Sequence, residues 1–159
     1  LLAAAGRDVV LLGRERIAAE VREHGLRLTS FEGWSKDVRA EVTTDPEVLA
    51  GASLVLVTVK GGATEEMGRL IGAHAPAGAA VVSLQNGIDN AERLRAVLPG
   101  RRVLAGMVSF NVLHRGEGRF HRGTSGPLSV ESGDEAAVAA LRVPHLDVQI
   151  AADMAAVQW

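Results

Sequence analysis

The run Leu54-Val55-Leu56-Val57-Thr58-Val59 holds five aliphatic residues among six, carries no charge, and stops at Lys60-Gly61-Gly62. A short aliphatic run bounded by turn residues reads as a strand buried on both faces, the kind that builds parallel sheets. In an open α/β sheet, ligands bind outside the carboxyl ends of the strands. Lys60 therefore stands where a ligand would sit, which is also where any such strand meets solvent. Its neighbours decide between the two.

Strands and helices alternate on either side. Asp8 to Leu12 reads as a buried strand ending at Gly13-Arg14, and Ile17 to Glu23 has helical spacing closed by Gly25. Leu26 to Thr29 and Val38 to Val42 both alternate, with the turn-forming Glu32-Gly33-Trp34-Ser35 between them, which predicts a half-exposed hairpin. Asp45-Pro46 opens a short helix through Leu49, with proline at the first helical position. After the Leu54 strand, Thr64 to Ala73 is helical, with Met67, Leu70 and Ile71 on one face. Ala80 to Leu84 is a buried strand ending in Gln85-Asn86-Gly87, Asn90 caps a helix through Val97, and Val103 to Val108 is the next strand. Strand, helix, strand, helix, strand at close spacing predicts right-handed βαβ units and an α/β fold with a doubly wound, mostly parallel sheet. Beyond Phe110 the pattern changes. Arg115 to Gly118 reads as a tight turn, Arg119 to Arg122 and Pro127 to Glu131 as added antiparallel edge strands, Glu135 to Leu141 as a helix, and Leu146 to Ile150 as a last strand.

Composition narrows the function classes. A net charge of -2 gives no electrostatic case for nucleic acid or an anionic membrane. Aromatics at 3% argue against stacking platforms for single strands. No apolar run approaches the ~20 residues that span a bilayer. The lack of cysteine removes disulfides and thiolate metal sites and fits a reducing cytoplasm. The two ends read as cut. Leu1 to Ala5 looks like the last turn of a helix with Gly6 as its C′ residue, and Asp153 to Trp159 looks like the capped start of another. The expectation is a fragment, with a glycine-rich phosphate loop belonging ahead of Leu1.

Three strand ends carry polar residues, Arg14, Lys60 and Asn86, and a doubly wound sheet projects all three to one edge. Arg14 follows the strand whose end, in a dinucleotide fold, faces the adenosine ribose. An acid there accepts from the ribose 2′-hydroxyl, whereas an arginine accommodates a 2′-phosphate through its forked donors. The alternative is a solvated helix start. Asn86 precedes Gly87, and Asn-Gly is commonly just a turn. At the rim of a cleft the same amide can meet a carbonyl or hydroxyl.

Taken in order, Leu11-Leu12-Gly13-Arg14, Val57-Thr58-Val59-Lys60, Leu84-Gln85-Asn86-Gly87, Leu104-Ala105-Gly106-Met107, Phe120-His121-Arg122-Gly123 and Val157-Gln158-Trp159 resemble the amino-terminal domain of ketopantoate reductases (2-dehydropantoate 2-reductases). The resemblance spans essentially the whole chain. It implies a Rossmann-like NADP-binding domain over residues 1–152, lacking its first strand and phosphate loop, with residues 153–159 starting the first helix of a helical carboxy-terminal domain. It implies NADPH-dependent reduction of 2-dehydropantoate to pantoate, on the way to pantothenate and coenzyme A, by a cytoplasmic protein that can form a homodimer when full-length. By the same resemblance Arg14 matches the 2′-phosphate contact, Lys60 and Asn86 line the cleft near cofactor and 2-keto acid substrate, and Val112 lends its backbone near the nicotinamide. The family's proton-donor lysine falls two residues after Trp159, so no catalytic acid is expected in this chain.

Other chemistries fit less well. His114 and His121 are too few and too far apart for a metal site. Gly123-Thr124-Ser125-Gly126 does not meet the order of a nucleophile elbow. Glu65-Glu66 and Asp134-Glu135 suit the first turns of helices, and Met67 and Met107 suit a core. Two classes remain: a reductase of 2-dehydropantoate or another 2-keto acid, and a non-catalytic dinucleotide-binding or sensor module on the same sheet.

Overall fold

The computed structural model describes residues 1–158. In chain order the strands are β1 (Val10–Leu12), β2 (Leu26–Ser30), β3 (Ser35–Val38), β4 (Glu41–Thr43), β5 (Leu54–Val57), β6 (Ala80–Ser83), β7 (Val103–Val108), β8 (Val112–His114), β9 (Arg119–Arg122), β10 (Leu128–Glu131) and β11 (Val148–Ala151). The helices are α1 (Glu15–His24), α2 (Thr64–His74), α3 (Asn90–Val97), α4 (Glu135–Leu141) and α5 (Met154–Gln158). Trp159, the last residue of the family-like motifs, lies outside the described residues.

The main sheet has the order β11-β10-β7-β6-β5. Strands β5, β6 and β7 run parallel, with Leu54 opposite Ala80 and Val81 opposite Val103. Strand β10 is antiparallel to β7 and parallel to β11. Alternation along β6 places its side chains on two cores. Val81 faces Ile71, Leu94 and Leu98 of the α2–α3 side, while Ala80 and Val82 face Val138 and Leu141 of α4. Val81, Val82, Ile71, Leu94 and Leu141 are all fully buried. Each such aliphatic side chain contributes about 1.5–3 kcal/mol relative to leaving it exposed. Helices on both faces of a mostly parallel sheet make this the expected doubly wound α/β fold.

The flanks differ in detail from the sequence pattern. Strand β5, expected to be buried on both faces, is the edge of the sheet: Leu54, Val55 and Leu56 are half-buried and only Val57 is closed off. Strand β1, also expected to be buried, pairs among the described residues only with β4, in parallel, and leaves Val10 and Leu11 exposed. The predicted strand Val38–Val42 splits at Arg39-Ala40. Val38 stays with Leu26 in the antiparallel β2–β3 hairpin, and Val42 crosses to lie opposite Leu11. Val38, Ala40 and Val42 all pack on one apolar cluster with Val21 and Leu26, while their backbones pair with different strands, so one alternating run serves two sheets. A four-stranded sheet of order β3-β2-β9-β8 completes the fold, with β9 antiparallel to β8 and parallel to β2.

Candidate functional site

The cleft forms because two parallel strands end side by side. Strand β5 stops at Val57, and the chain continues through Thr58 and Val59 to Lys60, which is extended (φ −64°, ψ 144°). A 3-10 turn over Gly61–Ala63 then leads into α2, closed by Ala63 N–H donating to the Lys60 carbonyl at 2.8 Å. Beside it, the ladder between β5 and β6 ends where Leu84 N–H donates to Val57 C=O at 2.8 Å, and the chain turns through Gln85-Asn86-Gly87. Thr58 to Gly61 and Leu84 to Asn86 enclose a cleft of about 280 Å³. Lys60 and Asn86 are both exposed, and among the described residues neither side chain is held by a hydrogen bond or ion pair. The cleft thus presents three ammonium donors and one free carboxamide to whatever enters it.

Beneath these two residues the floor is polar and buried. Gln85 Nε2 donates to the Val59 carbonyl at 2.9 Å and to Thr64 Oγ1 at 2.7 Å, and Asn90 Nδ2 donates to the Asn86 carbonyl at 2.8 Å. Asn90 is the first residue of α3, not its cap; Asp89 precedes the helix, and the Asn90 side chain turns inward to the cleft floor. Sequence reasoning missed Thr64, Gln85 and Asn90 as parts of the site. Their one signal was that uncharged polar side chains stand just past two aliphatic strands.

Arg14 lies outside this cleft, at the N-terminus of α1. Gly13 N–H donates to the Thr43 carbonyl at 2.9 Å, ending the β1–β4 pair, and the Arg14 carbonyl accepts from Ile17 and Ala18. Glu15 pairs with Arg22 and Arg16 with Glu20, so Arg14 is left as the cation of this turn without an ion-pair partner among the described residues. Leu12 packs in the same cluster as Val57 and Val59, and Leu11 shares a groove with Leu56. The ends of β1 and β5 therefore lie on the same side of the fold.

That groove, about 360 Å³ and apolar, also takes in Leu84, Phe110 and Val112. Leu84 lines both voids, so they adjoin. Val112 is 51% exposed on β8 and belongs to the groove, not to the Lys60 cleft. Of the four residues singled out in the sequence, the fold brings Lys60 and Asn86 into one cleft and leaves Arg14 and Val112 at separate places around it. The hairpin that carries Val112 is tied to α1 through Glu20, which accepts from Gly118 N–H at 2.7 Å and pairs with His114 Nε2 at 2.6 Å. The Gly118 amide, then His114, hold the Glu20 carboxyl below the ordinary carboxylate range. His121 is engaged by Thr29 Oγ1 at 2.8 Å, and among the described residues no three metal-ligating side chains stand together. No described helix is long and apolar enough to cross a membrane.

Comparison with known proteins places this geometry in a family. Residues 1–135 match the family "Ketopantoate reductase PanE/ApbA". A 2-dehydropantoate 2-reductase of Halobacterium salinarum is 40% identical over 107 residues, which are 67% of this chain and 35% of that protein. Among solved structures, a PanE/ApbA family ketopantoate reductase from Ralstonia eutropha superposes with a TM-score of 0.90 at 29% identity, covering 99% of this chain and 53% of the other. A D-mandelate dehydrogenase solved with NADH and anilino(oxo)acetate shares the fold at a TM-score of 0.73 and 22% identity, over 95% of this chain and 51% of its own. The chain thus spans about half the length of these solved relatives and a third of the Halobacterium protein. With most of its length matched by the family and its strand-end cleft formed by the motifs that resemble it, the chain belongs to the PanE/ApbA ketopantoate reductases.

Proposed function

We propose that the protein containing this chain reduces 2-dehydropantoate to pantoate with NADPH, and that this chain supplies much of its dinucleotide-binding half. The observation that carries the proposal is the cleft at the ends of β5 and β6, which Lys60 and Asn86 both line with side chains that have no partner among the described residues. The residues present suit a phosphorylated dinucleotide. Among the described residues Arg14 is free of ion pairs, at a strand end on the same side of the fold, where a fork of donors matches a 2′-phosphate.

Bound NADPH would supply the hydride. The tasks left to this chain are binding and orientation. The Lys60 ammonium donates to a carboxylate or carbonyl oxygen at the cleft mouth and favours negative charge there. The Asn86 carboxamide offers a donor and an acceptor on the same ligand. The Val112 backbone, at the adjoining groove, is assigned to the nicotinamide side by the family resemblance. The alkoxide formed on reduction needs an acid. That role goes to the lysine that the resemblance puts two residues beyond Trp159, in a helical domain for which residues 153–159 form the entry.

The D-mandelate dehydrogenase shows that one fold of this kind accompanies a different acid. The fold therefore does not select the substrate, and a related 2-keto acid is the second reading. An assay of the full-length protein with NADPH and a panel of 2-keto acids separates them. The proposal expects the highest kcat/KM for 2-dehydropantoate. Preference for another 2-keto acid moves the assignment to the second reading, and no oxidation of NADPH with any of them leaves only a dinucleotide-binding module.

A further inference from the structure

Four polar side chains beneath the cleft are nearly sealed from solvent: Thr64 at 0% exposure, Ser83 at 2%, Asn90 at 3% and Gln85 at 5%. Buried polar groups are costly unless hydrogen-bonded, and here the bonds join into one path. Gln85 Oε1 accepts from Ser83 Oγ at 3.1 Å. Its Nε2 spends one proton on the Val59 carbonyl and the other on Thr64 Oγ1. Thr64 has a single hydroxyl proton and two acceptors in reach, the Gly61 carbonyl at 2.8 Å and Asn90 Oδ1 at 2.9 Å. The Gly61 carbonyl already accepts from Arg93 Nη1 at 2.9 Å. Asn90 Oδ1 has no other donor among the described residues, so the proton belongs to Asn90. Asn90 Nδ2 then donates to the Asn86 carbonyl.

The path runs from the carbonyl of the residue before Lys60, through Gln85, Thr64 and Asn90, to the carbonyl of Asn86. It begins where the β5–β6 ladder has ended. The Asn90 amide also fills the space between the two turns. A Cβ at Gly61 would stand 3.3 Å from Asn90 Oδ1, and one at Gly87, which has φ +110°, would stand 3.1 Å from Asn90 Nδ2. Both turns therefore approach the same carboxamide.

We infer that Gln85, Thr64 and Asn90 are positioning residues, a buried clamp that sets the separation of Lys60 and Asn86 and so the geometry of the cleft. The inference rests on the proposed function for its catalytic consequence. Reaction rates depend steeply on placement, so a clamp of this kind acts on kcat more than on folding. Thr64→Val keeps the side chain's shape, removes Gln85's acceptor and removes Asn90's donor. Thr64→Ser keeps both bonds.

The test uses the full-length protein at a temperature where both variants are fully folded by circular dichroism. In Thr64→Val, kcat for keto-acid reduction falls about tenfold or more, and backbone amides of residues 60–63 and 86–89 exchange faster together. Amides of β10 do not change. Thr64→Ser restores both the rate and the slow exchange. An unchanged kcat in Thr64→Val overturns the inference, as does faster exchange confined to residues 60–63, or failure of Thr64→Ser to rescue. If the wild-type protein has no reductase activity, the proposed function fails. Joint exchange of the two turns in Thr64→Val then supports the clamp by itself, and separate exchange overturns it.

Discussion

Arg14 sits among paired charges without a pair of its own among the described residues, and its worth is set by what a ligand brings to it. Glu15 and Arg16 are neutralised within α1 by Arg22 and Glu20. A phosphate at this strand end would meet one arginine free to turn towards it. Hydrogen bonds to a charged group contribute about 1.5–3 kcal/mol, which is about 10- to 150-fold in affinity. Arg14→Ala in the full-length protein should therefore raise KM for NADPH by about that factor and leave KM for NADH nearly unchanged. Steady-state kinetics with the two cofactors decide it, and equal effects on both remove the 2′-phosphate assignment. Lys60 and Asn86 were legible in the sequence for a related reason: a polar residue ending an aliphatic run is placed by the strand itself. Thr64, Gln85 and Asn90 were not. Their partners lie 21 and 26 residues away along the chain, and an asparagine or threonine at a helix start reads as a cap until a distant acceptor is seen.

At the scale of elements, the central strands were readable and the flanks were not. Strand β6 lies between two neighbours and two helical layers, so an aliphatic run could mean only one thing. The alternation in Val38 to Val42 looked like one strand because period-two patterning says which face is apolar but not which sheet provides the partner. The link between α1 and the β8–β9 hairpin depends on a contact no pattern shows, the Glu20 carboxylate on Gly118 N–H and His114. The approach there is close. Gly118 has φ +68°, and a Cβ on it would stand 1.8 Å from the Gly25 carbonyl. Because the folded state holds Glu20 below its ordinary value, folding favours the ionised form. Its contribution is complete above the unfolded carboxylate pKa of about 4.3 and is lost as pH falls through the lower folded value. Glu20→Gln should thus be less stable than wild type near neutrality, with the gap closing as the medium becomes acid. Urea midpoints between about pH 7 and pH 3, spanning that carboxylate range, report it. A gap that stays constant with pH would remove Glu20 as the titrating tie.

On the scale of the whole molecule, the proposed function divides binding and chemistry between parts. The turn from β1 to α1 reads Gly13-Arg14-Glu15-Arg16, with one glycine, so it cannot cradle a pyrophosphate as a glycine-rich loop does. The outer edge of β5 is unpaired among the described residues, and Leu11 of β1 and Leu56 of β5 both line the apolar groove. In the proposed function Lys60 and Asn86 orient the ligand, and the proton for the new hydroxyl is assigned to the lysine that the family resemblance puts beyond Trp159. Residues 1–159 expressed alone should accordingly show no oxidation of NADPH with 2-dehydropantoate above the uncatalysed rate, followed by absorbance at high protein concentration. Adding the flanking sequence should restore turnover, with Arg14, Lys60 and Asn86 unchanged. Turnover by residues 1–159 alone would mean that the acid and the pyrophosphate contacts lie within this chain, and that Lys60, the free cation of the cleft, does more than orient.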